Sequence, residues 1–303
     1  MKKNTFVSVI VPTYNRKENL KKCLEALKKI DYPKKSYEAI IINDGGEDGT
    51  DEFMKKFIKE NKGFKYLKQK NSGPAKARNN GVKNSKGEII VFIDDDIIVP
   101  KNLIEKHLKY YKNKKIGGVG GNQLPKKLSW PDLYYIARYL DEFLKVQKWL
   151  DPNSGKGLAT ANCSYRAKIL KELKGFDESF PLAAGEDIDL SRRVMERGWT
   201  LVKDPTIVTE HLRSETFRSV VKLKFKRMSG AVIDNKRKAK KEKIYKFSRV
   251  INQWKNFRIA KKKFLNMEVN LFDFLKFVYL TLALFISSVM GVRHFSKSLG
   301  TKK

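Results

Sequence analysis

Residues 89–100 read IIVFIDDDIIVP, five consecutive apolar side chains that run straight into Asp94, Asp95 and Asp96. A run of this kind has no polar face to offer water, so it fits a buried strand in a sheet covered on both sides. The covering helices are legible around it. Residues 6–11 are an apolar strand, and Asn15 with Glu18 three positions later reads as the cap of a helix reaching about Ile30. A second strand at residues 37–42 ends in NDGGEDGTDEF, where Thr50, Asp51 and Glu52 begin another helix. A short strand at residues 64–68 precedes SGPAKARNNG, with Pro74 at a first helical position and Gly81 or Gly87 as the stop. Strands alternating with crossover helices predict an α/β unit with a parallel sheet, of the nucleotide-binding type. In such sheets ligands sit beyond the carboxyl ends of the strands, and alternate residues such as Asp94 and Asp96 can face one hard cation. The alternative for the aspartates is an acidic turn.

The chain has 303 residues, 41% of them hydrophobic, enough for one large or two modest cores. Cys23 and Cys163 lie far apart and form no disulfide framework, so both read as reduced. The first residues read as a strand rather than a secretory signal, because the apolar stretch is short and meets Pro12. The net charge of +32 is regional: residues 213–263 hold 19 Lys and Arg against 3 Asp and Glu, half of the excess. Nucleic acid, an anionic membrane and a polyanionic substrate all suit a basic run. Residues 271–292 follow as LFDFLKFVYLTLALFISSVMGV, uninterrupted over residues 277–292, about 24 Å as a helix. A basic segment beside an apolar helix predicts membrane attachment, by a tight span or an in-plane helix, with the bulk of the chain on the cytoplasmic face of the cell membrane.

Six motifs in order resemble glycosyltransferase family 2: VSVIVPTYNR at the start, INDGG, GPAKARNNG, FIDDD, then LATANCSYRAKIL and GFDES with GEDIDLSRRVMERGW. They span residues 6–212. Asn43 departs from the pattern, since many members carry an acid there. The resemblance implies the GT-A fold, with a mixed, mostly parallel sheet, and inverting transfer from a nucleotide-sugar, UDP-sugar first, to a glycan or lipid-linked acceptor. It also implies site residues. Asp96 would bind Mn²⁺ or Mg²⁺ most directly, Asp94 would stand near the ribose and the metal's water shell, and Asp95 would be a spacer beside them. His211 matches a place where some members add an imidazole to the metal; an ordinary strand-end residue is the alternative. Asp44 would accept from the uracil imide N–H, or else make a local turn. Pro12, Tyr14 and Arg16 resemble the nucleotide-cradling turn, Ala161, Asn162 and Cys163 the strand lining the sugar pocket, and Arg78 would meet phosphate or clamp Asp94 bidentately.

Inversion requires a base on the acceptor side, because the acceptor hydroxyl loses its proton as it attacks. Position at a helix start would suit Asp187 equally as a complement to the helix macrodipole; the resemblance of GEDIDL to the family's ED motif implies that Asp187 is that base, with Glu186 orienting it or the acceptor. Ile188, Leu190 and Val194 are expected to face the core and Gly198 to end the helix. Residues 130–150, rich in Tyr and Trp, read as a helix, and His107 and His294 as surface residues. The expected organisation is a catalytic domain at residues 1–212, a basic helical segment at 213–268 and an apolar membrane helix with a basic tail at 269–303. A metal-dependent phosphodiesterase acting on nucleic acid is the competing reading. It leaves INDGG, GEDIDL and the apolar carboxyl-terminal helix without a purpose, and the basic run lacks the aromatic spacing of a base-stacking platform, so no nucleic-acid partner is expected.

Overall fold

A computed structural model describes residues 5–126, 145–154, 156–180 and 185–213. In chain order these form β1 (Val7–Thr13), α1 (Lys17–Lys28), β2 (Tyr37–Asn43), α2 (Thr50–Glu60), β3 (Phe64–Lys68), α3 (Pro74–Lys83), β4 (Ile89–Ile93), β5 (Ile97–Ile98), α4 (Leu103–Leu108), β6 (Ile116–Pro125), β7 (Gln147–Trp149), β8 (Asn162–Arg166), α5 (Ala167–Glu172), α6 (Glu186–Glu196) and β9 (Thr200–His211). The strands make one sheet in the order β3-β2-β1-β4-β8-β6-β9-β5, with β7 added on β9. Its first four strands are parallel, as the alternating sequence requires. Beyond β4 the pairings are antiparallel except β6 with β9, so the sheet is mixed, with as many antiparallel as parallel pairings, rather than mostly parallel.

Period-two alternation distributes the strand residues between two cores. Val7, Val9 and Val11, with Ala39, Ile41, Val91 and Ile93, pack under α1, α2 and α4. Ile10, Ile40, Ile42, Ile90 and Phe92 face the other side, where Ala77, Ile169, Leu190 and Val194 cover them. Phe92 meets Phe176 edge-on at 5.2 Å. Both free cysteines are buried, as a reduced chain implies.

Several local readings change in the folded chain. Arg16, not Asn15, stands at the start of α1. Asn15 is at φ 51° and its Oδ1 accepts the Glu47 N–H at 2.7 Å, so its side chain ties two loops together instead of capping its own helix. Asp48 supplies the cap from a distance: its carboxylate accepts the Lys17 N–H at 2.6 Å and the Thr50 N–H at 3.2 Å, serving α1 and α2 at once. Gly81 lies inside α3, where a Cβ would meet Ile10 Cγ2 at 2.6 Å, so it sets how closely the helix approaches the sheet rather than ending it. The end of the expected aromatic helix is β7, paired with β9, because Trp149 packs against the sheet. Residues 127–144, the basic and apolar segments beyond residue 213, and His294 lie outside the described residues. Among the described residues no helix is long and apolar enough to cross a membrane.

His107 is the clearest reversal, since it is fully buried rather than on the surface. Its Nδ1 lies 2.9 Å from Ser164 Oγ and its Nε2 lies 3.1 Å from Asn162 Oδ1. Burial pushes its pKa down to about 4, so the ring is neutral.

Candidate active site

The ladder between β1 and β4 stops at Ile10 opposite Phe92, while β1 continues along β2 to Thr13. Strand order also reverses here, with β2 and β3 on one side of β1 and β4 on the other. A crevice at the carboxyl ends of the strands follows. Pro12, opposite Ile42, sits where β1 no longer pairs with β4, so its missing N–H forfeits no bond there.

Asp94, Asp95 and Asp96 emerge from β4 into this crevice with three different surroundings. Asp95 is buried, accepts from Thr13 Oγ1 at 2.8 Å and pairs with Arg16 at 3.1 Å. Burial raises its pKa to about 6 against the opposing pull of Arg16 and Thr13. It is thus a brace between β1 and β4, a role a spacer would not have. Asp96 shares the same Arg16 nitrogen through Oδ2 at 3.0 Å. Asp94 is held by Arg78 Nη2 at 3.0 Å, through one guanidinium nitrogen rather than the expected two-pronged clamp.

The other prong of Arg78 goes elsewhere: Nη1 donates to Glu186 Oε1 at 3.0 Å. Arg78 is 4% exposed and Glu186 3% exposed, so one buried guanidinium on α3 joins the aspartate cluster to the first turn of α6. Among the described residues, the buried Glu186 Oε2 has no hydrogen-bond partner. Burial, reinforced by the neighbouring Asp187 charge and opposed by Arg78, pushes the Glu186 carboxyl up to about 7. Asp187 itself accepts the Ile188 N–H at 2.8 Å and is more exposed than Glu186. Leu190 and Val194 are buried as expected and α6 ends ahead of Gly198, whereas Ile188 is 39% exposed and points away from the core. Asp189 binds Arg192 and Arg193 instead of the site.

Beyond the ends of β1, β2 and β3 lies a cavity of about 650 Å³ lined by Tyr14, Gly45, Gly46, Lys68, Lys70 and Asn71 among others. Tyr14 is 47% exposed in its wall. Asp44 is buried beneath it, and its carboxylate accepts from Gln69 Nε2 and from the Ser72 and Gly73 N–H groups at 2.8–2.9 Å. Asp44 therefore shapes the loop leading into α3. Asn43 does comparable work, accepting the Gly46 N–H and donating to the Tyr66 hydroxyl. Asn162 and Cys163 are buried in β8 rather than open to a sugar pocket, with Ala161 at its edge.

His211 comes to the aspartates because β5 pairs with the end of β9, Ile97 opposite His211, and the Leu212 N–H donates to the Asp96 carbonyl at 2.9 Å. Its Nε2 faces Asp96 Oδ1 at 3.6 Å. Nδ1 makes a short 2.6 Å contact to the Arg213 carbonyl, which makes it the protonated nitrogen; the 3.3 Å approach of the Arg213 N–H is the weaker contact. In the neutral ring Nε2 would present a lone pair towards this carboxylate oxygen, an arrangement that suits a cation between them, and a backbone acceptor on the other nitrogen is the usual support of a metal-binding histidine. Among the described residues no three His, Cys, Asp or Glu side chains gather into a closed cage. A hard cation that also binds phosphate needs just one or two protein ligands, so Asp96 and His211 fit such an ion.

Comparison with known proteins follows the same lines. The model of the family described as glycosyl transferase family 2 matches residues 8–174. Glycosyltransferase AglE of Haloferax volcanii is 27% identical over 228 residues, 75% of this chain and 73% of that protein. The uncharacterized glycosyltransferase YfnE of Bacillus subtilis is 31% identical over 67% of this chain and 64% of its own length. A Methanococcus voltae relative, 25% identical over 72% of this chain and 70% of its own, is named a dolichyl N-acetyl-alpha-D-glucosaminyl phosphate 3-beta-D-2,3-diacetamido-2,3-dideoxy-beta-D-glucuronosyltransferase. Among solved structures, the mannosyltransferase PcManGT of Pyrobaculum calidifontis, in complex with GDP-Man and Mn²⁺, superimposes with a TM-score of 0.69 at 17% identity, covering 96% of this chain and 88% of that one. TarS of S. aureus with UDP-GlcNAc gives 0.56 at 14% identity, over 97% and 92%. With the strand-end aspartates, the crevice and the α6 carboxylates in one α/β frame of the GT-A type, this chain belongs to glycosyltransferase family 2 and is a glycosyltransferase.

Proposed function

We propose that this glycosyltransferase moves a sugar from a nucleotide-sugar, a UDP-sugar first, onto a glycan or lipid-linked acceptor with inversion, while attached to the cytoplasmic face of the cell membrane. The observation that carries the reading is the Arg78 bridge, because it joins the donor-side aspartate Asp94 to the acceptor-side pair Glu186 and Asp187 in one site. In this reading Asp187 takes the proton of the acceptor hydroxyl. The freed oxygen forms a bond to the anomeric carbon as the bond from that carbon to the diphosphate oxygen breaks, and the electron pair leaves with the nucleotide. Burial raises the pKa of Glu186, which lessens the negative charge beside that base. Asp96 and His211 would hold Mn²⁺ or Mg²⁺, which when bound neutralises charge growing on the leaving diphosphate. Arg16 fixes Asp96, and the cavity beside Tyr14 and above Asp44 has the place and size for a nucleoside. Among the relatives, the dolichyl phosphate in the name of the Methanococcus voltae protein supports a lipid-linked acceptor, and the GDP-Man and UDP-GlcNAc complexes support a nucleotide-sugar donor. The basic run at residues 213–268 and the apolar residues 269–303 supply the proposed attachment.

Calorimetric titration with UDP, GDP and TDP, with and without Mn²⁺, tests the donor half. One nucleotide should bind in a manner that needs both Mn²⁺ and Asp96, so Asp96→Ala should abolish that binding. Absence of binding by all three at millimolar concentration overturns the reading.

A further inference from the structure

Strand β9 reaches His211 only after an irregularity. Gly120 pairs with Lys203 and Asn122 with Val208, so residues 204–207 on β9 oppose Gly121 alone on β6. The excess of three residues is odd. Side chains alternate with period two along a strand, so an odd excess exchanges the faces shown by Val208–His211, and bulges beside functional sites are used to re-aim side chains in this way.

The bulge is pinned from inside by buried polar groups that the proposed reaction does not use. Asn162 Nδ2 donates to the Ile207 carbonyl at 2.9 Å and to the Asn122 carbonyl at 3.0 Å. This fixes the orientation of the amide, so Asn162 Oδ1 accepts from His107 Nε2–H. His107 Nδ1 must then accept from Ser164 Oγ, whose oxygen accepts in turn from the Tyr111 hydroxyl at 2.9 Å. Every proton has one place, and all four side chains are 2% exposed or less. Gly121 completes the fit: a Cβ there would lie 2.1 Å from the Ile207 carbonyl oxygen and 2.5 Å from Asn162 Nδ2. Beyond this anchor Val208–His211 re-pair with β6, and Glu210 and His211 also with β5, which sets His211 3.6 Å from Asp96.

We infer that the buried chain Tyr111, Ser164, His107 and Asn162 is a positioning device for the cation site, which fixes the β9 bulge and through it the place of His211 relative to Asp96. The inference rests on the proposed reading of Asp96 and His211 as cation ligands. The test is Mn²⁺ binding to the full chain, followed by the loss of the free-ion spin-resonance signal, in the parent, Asn162→Ala, His211→Ala and the double variant. Asn162→Ala should weaken Mn²⁺ binding by about 3- to 10-fold, the worth of a lost buried hydrogen bond relayed to the ligand. The double variant should bind no more weakly than His211→Ala alone, because Asn162 acts through His211. Parent-like affinity of Asn162→Ala, or full additivity of the two changes, overturns the inference with the cation site intact; failure of the parent to bind Mn²⁺ overturns the cation reading itself. Where Asn162→Ala does not fold, Asn122→Ala serves, since the Asn122 side chain donates to the bulge carbonyl of Pro205 at 3.5 Å. A loss of about threefold is expected there, and unchanged affinity counts against the device.

Discussion

Arg78 shows how much of this site turns on single side chains. Its guanidinium is the buried counter-ion of Glu186 and also holds Asp94, so Arg78→Ala should destabilise the fold by about 3–5 kcal/mol in urea unfolding. Combining it with Glu186→Gln should return part of that loss, because the fully buried one of its two acids is then no longer left without a counter-ion. Glu186 has a pH signature of its own. Its folded pKa of about 7 lies above the ordinary carboxyl value, so the folded chain holds the proton more tightly, and this contribution to stability is present at low pH and lost as pH rises through about 7. Thermal unfolding from pH 5 to 8 should show a component of declining stability that Glu186→Gln lacks. At this scale the sequence was informative where chemistry is local. The abrupt end of an apolar run announced Asp94–Asp96, and GEDIDL announced Glu186 and Asp187. It was silent where the partner is remote: the brace made by Asp95 depends on Thr13 and Arg16 from another strand end, and the burial of His107 depends on α4 meeting β8.

Elements were legible in proportion to their periodicity. The first four strands and α1–α3 follow from alternation and from Pro74 and Thr50 at helix starts, whereas β7 is three residues long and owes its existence to an antiparallel neighbour. Glycine was misread for a related reason, since Gly81 resembles a helix stop until the sheet beneath it is known. Gly81→Ala should therefore destabilise the chain by about 1–3 kcal/mol despite the better helix propensity of alanine, as an equilibrium denaturation curve would report, because the added methyl meets Ile10 and Ile42. The junction of α4 with β8 has its own acid limit. His107 has a folded pKa of about 4, below its ordinary value, so the unfolded chain takes the proton first and stability is lost as pH falls from about 6.5 to 4. His107→Gln should remove up to about 3 kcal/mol of that dependence when the difference in unfolding free energy between parent and variant is followed over the same range.

Taken whole, the chain distributes its charge unevenly, and the membrane reading makes a direct forecast. The full chain should sediment with phosphatidylserine vesicles, and a chain ending at Leu212 should stay in the supernatant; equal sedimentation of the two would remove the case for the basic and apolar segments as the anchor. The mixed second half of the sheet was hidden from sequence reasoning because antiparallel β8 and the β9 bulge are set by pairings between distant residues. The guanidinium shared by α3, β4 and α6 also bears on how such enzymes can be rebuilt. Two acids share one cation, so a hybrid that takes residues up to β4 from this chain and α6 onward from a relative leaves the arginine or one of its acids unmatched unless both parents carry all three. In the proposed reading, the donor-side and acceptor-side segments can be exchanged with those of a relative where the arginine and its two acids travel together.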